Sequence, residues 1–150
     1  MQKAYITLIT LLLGLSIGCS KKEEVKPTTR PLFDANLTAV INGAQQVPAN
    51  SSPATGTFEG VFDSKSMTLT YTVEYRGMTP NIAHIHEGAP GTNDGVVIPF
   101  DNPAASTTIR GTYKLDVKYA EKLLYNGMYV NMHSIAFPGG EIRGDIKVKQ

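Results

Sequence analysis

Only three histidines occur in the chain, and they fall in two short phrases: Ala83-His84-Ile85-His86-Glu87-Gly88 and Asn131-Met132-His133-Ser134. On an extended strand successive side chains alternate sides at about 3.3 Å per residue, so His84 and His86 share one face about 6.6 Å apart. A third imidazole from a neighbouring strand would complete a ligand set suited to copper or zinc, with a coordination position left open. The same spacing also arises in an exposed, hydrogen-bonded pair that holds no ion, so it defines a hypothesis and not a site. The second phrase continues into Pro138-Gly139-Gly140-Glu141-Ile142-Arg143-Gly144. There Glu141 and Arg143 share a strand face and are expected to pair as ions beside the histidines. Other chemistry finds little support. Ser134 follows His133 directly, and adjacent strand residues point to opposite faces, so the two cannot form a dyad. No phosphate loop, paired catalytic carboxylates or dinucleotide fingerprint is present, and catalytic residues are therefore expected to be absent. Asn93-Asp94-Gly95 reads as a turn and lacks the spaced acidic series of a calcium loop.

The elements that must position these residues read as strands. Met67, Leu69, Tyr71, Val73 and Tyr75 alternate with Thr68, Thr70, Thr72 and Glu74. Ile109, Gly111, Tyr113, Leu115 and Val117 alternate with Arg110, Thr112, Lys114 and Asp116, and Ile142, Gly144, Ile146 and Val148 with Glu141, Arg143, Asp145 and Lys147. This period of two predicts antiparallel sheets with one buried face. Further strands are expected over residues 35–41, 57–62, 81–87, 96–100 and 128–134. One stretch, residues 119–125, fits about two helical turns before Asn126-Gly127. Glycine- and proline-rich turns at regular spacing point to an all-β Greek-key sandwich or barrel of about eight strands with one short helix. Within it Ala83 and Ile85, like Met128, Val130 and Met132, would face the core. His84, His86 and His133 would then lie on the outer side of one sheet, provided that their strands are neighbours.

Composition narrows the class. With 41% hydrophobic and 18% charged residues the chain can bury one core, and its length allows one domain plus a tail. Lys3 is the only charged residue among the first eighteen, so removing them leaves 13 basic and 13 acidic residues. With no basic patch interleaved with aromatics, nucleic acid is not an expected partner. Residues 5–18 form an apolar run too short for a membrane span of about 20 residues but suited to a signal peptide. Its end, Leu15-Ser16-Ile17-Gly18-Cys19, resembles a bacterial lipobox, although Ser16 stands where leucine is commonest. That resemblance implies cleavage before Cys19, the single cysteine, and its lipidation; more than one acyl chain anchors stably. The other reading is a free cysteine in an ordinary secreted protein. Ser20-Lys21-Lys22-Glu23-Glu24 is similar to the surface-export signal of some bacterial lipoproteins, and it reads equally as a solvated spacer. The expected organisation is a signal peptide over 1–18, a lipidated Cys19 and tether over 19–31, and one domain over 32–150.

The histidine phrases also carry a family resemblance. Ala83-His84-Ile85-His86-Glu87-Gly88, then Tyr129-Val130-Asn131-Met132-His133-Ser134, then Pro138-Gly139-Gly140-Glu141-Ile142-Arg143-Gly144 resemble the signature of the CHRD domain, the module named after chordin. Leu37-Thr38-Ala39 with Gln46-Val47-Pro48 resembles that domain's opening, and the likeness runs from about Phe33 to Val148. The expected function is a non-enzymatic binding or interaction module. With the lipobox-like end at Cys19 it is expected to be lipid-anchored at a bacterial outer membrane, facing the periplasm or the exterior, with an extracellular or periplasmic partner. His84-Ile85-His86-Glu87-Gly88 and the loop Gly91-Thr92-Asn93-Asp94-Gly95 are also similar to the copper-binding strand and loop of Cu/Zn superoxide dismutase. That likeness implies His84, His86 and His133 as copper ligands and a position for Arg143 like that of the active-site arginine. It supplies the alternative function, a copper-dependent redox protein. The chain departs from the dismutase pattern in having no bridging histidine, no zinc cluster and no disulfide.

Overall fold

A computed structural model describes residues 30–150. The expected signal peptide, Cys19 and most of the tether lie outside the described residues. Among the described residues nine strands and one α-helix follow in order, with a short 3-10 helix (Gly43–Gln45) after the first strand: β1 (Ala35–Asn42), β2 (Thr55–Asp63), β3 (Thr68–Arg76), β4 (Ile82–Glu87), β5 (Val96–Pro99), β6 (Thr108–Lys114), α1 (Val117–Leu124), β7 (Met128–His133), β8 (Ile142–Asp145) and β9 (Lys147–Val148). Hydrogen bonding links them in the order β5-β4-β7-β8-β1-β2-β3-β6, with β9 on β1. Every pairing is antiparallel. The chain crosses from β3 to β4, back from β5 to β6, and over again through α1 to β7. These Greek-key connections bend the sheet into a nearly closed, flattened barrel, so the all-β fold expected from the alternation is the one observed.

One face of each strand builds the interior. Leu37, Ala39 and Ile41 of β1 meet Phe58 and Phe62 of β2 and Leu69, Tyr71 and Val73 of β3. Ala83, Ile85, Ile98, Met128, Val130, Met132 and Ile142 close the core from the other half. Fully burying one such large apolar side chain contributes about 1.5–3 kcal/mol, and this sum opposes chain entropy. The two halves join where β8 leaves β7 and the chain passes onto β1. Asn42 pairs with Arg143 there, Ile146 is buried at the crossing, and Leu37 pairs with Val148. The helix lays Ala120, Leu123 and Leu124 against one end of the barrel.

Three details differ from the alternation reading. The helix begins at Val117, two residues before the expected start, with Asp116 at its N-cap. Val117 is therefore half exposed on a helix, not inward on a strand. Met67 sits in the β2–β3 turn at φ +60° and is only partly buried. On β6 just Ile109 is buried, and Tyr113 is 38% exposed, because β6 is an edge strand whose far end extends past the core.

Candidate metal centre

β4 and β7 are direct neighbours, with His86 opposite Tyr129, His84 opposite Asn131 and Ile82 opposite His133. This adjacency, which the alternation left open, brings all three histidines together on the outer side of the β5-β4-β7-β8 half. Their donor nitrogens lie within 4.8 Å of one another. The His84 and His86 rings meet edge to face at 4.9 Å between centroids, and His84 and His133 at 5.1 Å. Three nitrogens held about 2.0 Å from one ion stand roughly 3.5 Å apart, so small side-chain rotations suffice to match the triangle to an ion.

Hydrogen bonds decide which nitrogens are free. His86 Nδ1 lies 2.8 Å from the Asp94 carbonyl, and His133 Nδ1 lies 3.0 Å from the Pro138 carbonyl. A carbonyl only accepts, so both Nδ1 atoms carry the proton and both Nε2 atoms keep a lone pair. His84 Nδ1 approaches His86 Nε2 to 3.1 Å, so without an ion His84 donates across that gap. His133 Nε2 is buried and has no hydrogen-bond partner among the described residues. A buried acceptor without a partner costs free energy, and a cation at the centre of the triangle would satisfy it. Burial, then the neighbouring His86 and His133, lowers the His84 pKa from 6.5 to about 4. Burial also lowers that of His86, against the Asp94 hydrogen bond. These two imidazoles are thus neutral near pH 7, as ligands must be.

Behind the histidines the outer face is covered. Tyr129 and Asn131 are 1% and 5% exposed. Tyr129 stacks on His86 with rings 4.9 Å apart and 6° from parallel, and Arg143 Cζ lies 3.6 Å over the same ring. Gln46 donates to Asn131 Oδ1 at 2.6 Å. The covering segments are residues 43–52 and 88–95, both without hydrophobic periodicity. Gly140 lets the first approach: at φ +120° it has no Cβ to collide with Gln46 Nε2 and Asn131, which a side chain there would meet at 2.6–2.7 Å.

The expected Glu141–Arg143 ion pair does not form. Glu141 precedes β8, in the bend that Gly140 begins, and its Oε1 accepts from Ser52 Oγ at 2.7 Å. It makes no hydrogen bond to a histidine, so of the two expected supporting residues only Arg143 stands behind the site. Arg143 pairs instead with Asp145, two residues along the same face, at 3.1 Å. Tyr129, Asn131, Gln46 and the Asp94 carbonyl were missed from sequence. The first two share the outward row with His133, and that row was the available signal.

The domain is thus an all-β barrel with three imidazoles on a partly covered outer face. The chain matches the CHRD domain over residues 37–146 and belongs to that family. Membership points to a binding or interaction module. No curated protein matches the chain.

Proposed function

We propose that this CHRD domain is a metal-binding module that takes copper or zinc on His84 Nδ1, His86 Nε2 and His133 Nε2. The module would sit on a bacterial outer membrane, held by lipid on Cys19. One observation carries the metal reading: three converging imidazoles leave a buried nitrogen, His133 Nε2, with no partner except what the triangle itself would hold. The ion would bring an open coordination position; the protein fixes two ring tautomers through Asp94 and Pro138. The copper-redox alternative draws less from the geometry. Arg143 spends its donors on protein acceptors and presents none to a small anion, and among the described residues no fourth histidine joins the cluster.

The test is titration of the purified domain with copper and with zinc under competition from a chelator. With no tryptophan in the chain, tyrosine emission reports copper arriving beside the stacked Tyr129. The expected result is one equivalent bound. Each single change of His84, His86 or His133 to Ala should remove most of the affinity, with little further loss in combinations, because ligands of one ion are non-additive. Absence of stoichiometric binding, or additive losses, would sink the reading.

A further inference from the structure

Arg143 is fully buried, and a guanidinium withdrawn from water persists only when its donors are matched. Nη1 donates to the Thr92 carbonyl at 2.6 Å and to Asn93 Oδ1 at 3.3 Å. Nη2 donates to the Ala89 carbonyl at 3.4 Å and to Asp145 Oδ1 at 3.1 Å, and Nε reaches the same carboxylate oxygen at 3.3 Å. Three of these acceptors belong to the 88–95 segment. The next residue of that segment, Asp94, gives its carbonyl to His86 Nδ1. The flat side of the guanidinium lies on Tyr129, which stacks with His86. Two groups cannot cover one ring face at these distances, so the order is guanidinium, phenol, imidazole. The Asp94 backbone N–H also donates to Tyr129 Oη at 3.3 Å, which ties the segment to the stack.

We infer that Arg143 is a positioning residue for His86, acting along two routes that meet on that ring. Through the carbonyls of 88–95 it places the Asp94 acceptor, which fixes the Nδ1–H tautomer. Through Tyr129 it fixes the ring plane, and so the direction of the Nε2 lone pair. Lysine in its place could keep the charge and the Asp145 pair but has no planar fork to reach Thr92 and Ala89 together. Residues that orient a metal ligand through a hydrogen bond typically change affinity by about 10–100-fold.

This inference rests on the metal reading for its affinity readout and stands apart from it for its other readout. In the metal-free protein, nitrogen and proton NMR detect the His86 Nδ1–H held by Asp94. Arg143→Met should lose that resonance to solvent exchange and bind copper at least tenfold more weakly. Arg143→Lys should fall between Arg143→Met and wild type. Phe58→Leu, a core change remote from the site, should keep the resonance and the affinity at whatever stability it has. A folded Arg143→Met that retains the protected N–H and copper affinity within twofold would overturn the assignment. If Arg143→Met does not fold, the same two readouts on Arg143→Lys decide: both at wild-type values overturns it. A wild type that shows the protected N–H but binds no copper or zinc defeats the metal reading alone.

Discussion

His84 shows how a single residue couples the site to folding. Its pKa is about 4 in the folded domain, lowered first by burial and then by His86 and His133. In the unfolded chain an imidazole titrates near 6.5. Between these values the unfolded state binds more protons, so the stability of the metal-free domain rises with pH across that window. It is fully present above about pH 6.5 and is lost as pH falls toward 4. Because the ring is only partly enclosed, solvent screening leaves about 1–2 kcal/mol of this effect. His86 adds in the same direction, since burial lowers its pKa too. Urea unfolding of the metal-free domain at pH 7.5 and 4.5 measures the loss, and His84→Gln should show a clearly smaller one. Equal losses in wild type and variant would mean that His84 is not the source. The three histidines themselves, and the face they share, were legible in the sequence. The tautomers were not, because Asp94 and Pro138 act through backbone carbonyls, which carry no residue-type signal.

At the scale of elements, the 88–95 segment decides whether the outer face of β4, β7 and β8 is surface or interior. Gly88 opens this segment at φ +149°, and a Cβ there would lie 2.9 Å from Tyr129 Cε1 and 3.0 Å from Thr92 Oγ1. Gly91, at φ +81°, has open space where a Cβ would go. The two glycines therefore separate contact from backbone conformation. Gly91→Ala should cost about 1 kcal/mol from left-handed strain alone and leave copper affinity unchanged. Gly88→Ala should cost about 1–3 kcal/mol and weaken copper binding severalfold, because it pushes Tyr129 off His86. Thermal unfolding and copper titration on both variants check this. Equal behaviour of the two would show that the Tyr129 contact does not matter. Alternation could assign Tyr129, Asn131 and Arg143 to an outward row but could not say what covers that row. The covering segments lack periodicity, and they are held against the sheet by polar contacts between residues distant in sequence. Glu141 was misplaced for a related reason: the strand pattern ran through it, while Gly140 had already turned the chain.

For the whole molecule, the barrel was readable because most strands keep one dry and one wet face, so a period of two survives in the sequence. Pairing of β4 with β7 was not readable: those segments are separated by β5, β6 and α1, and no short turn fixes their register. The end of the barrel that carries α1 also receives the chain from its N-terminal side. Tyr125 Oη donates to the Pro31 carbonyl at 3.0 Å, Phe33 packs edge-on to Tyr125 at 6.3 Å, and the Arg30 guanidinium lies 4.8 Å over the same ring. The tether expected from the sequence thus begins at a docked point. Fully extended, residues 20–30 reach at most about 40 Å. A lipid on Cys19 would hold the domain within that distance of the membrane, while the three histidines are carried by β4 and β7. Anchoring and metal binding, as proposed, would then be separable. Cys19→Ser in cells should abolish labelling by a fatty-acid analogue and move the protein from the membrane to the soluble fraction. The released protein should bind copper with wild-type affinity, because His84, His86 and His133 all lie within the described barrel. Equal labelling and equal membrane retention of the two forms would refute the anchor. Loss of copper affinity on release would refute the separation.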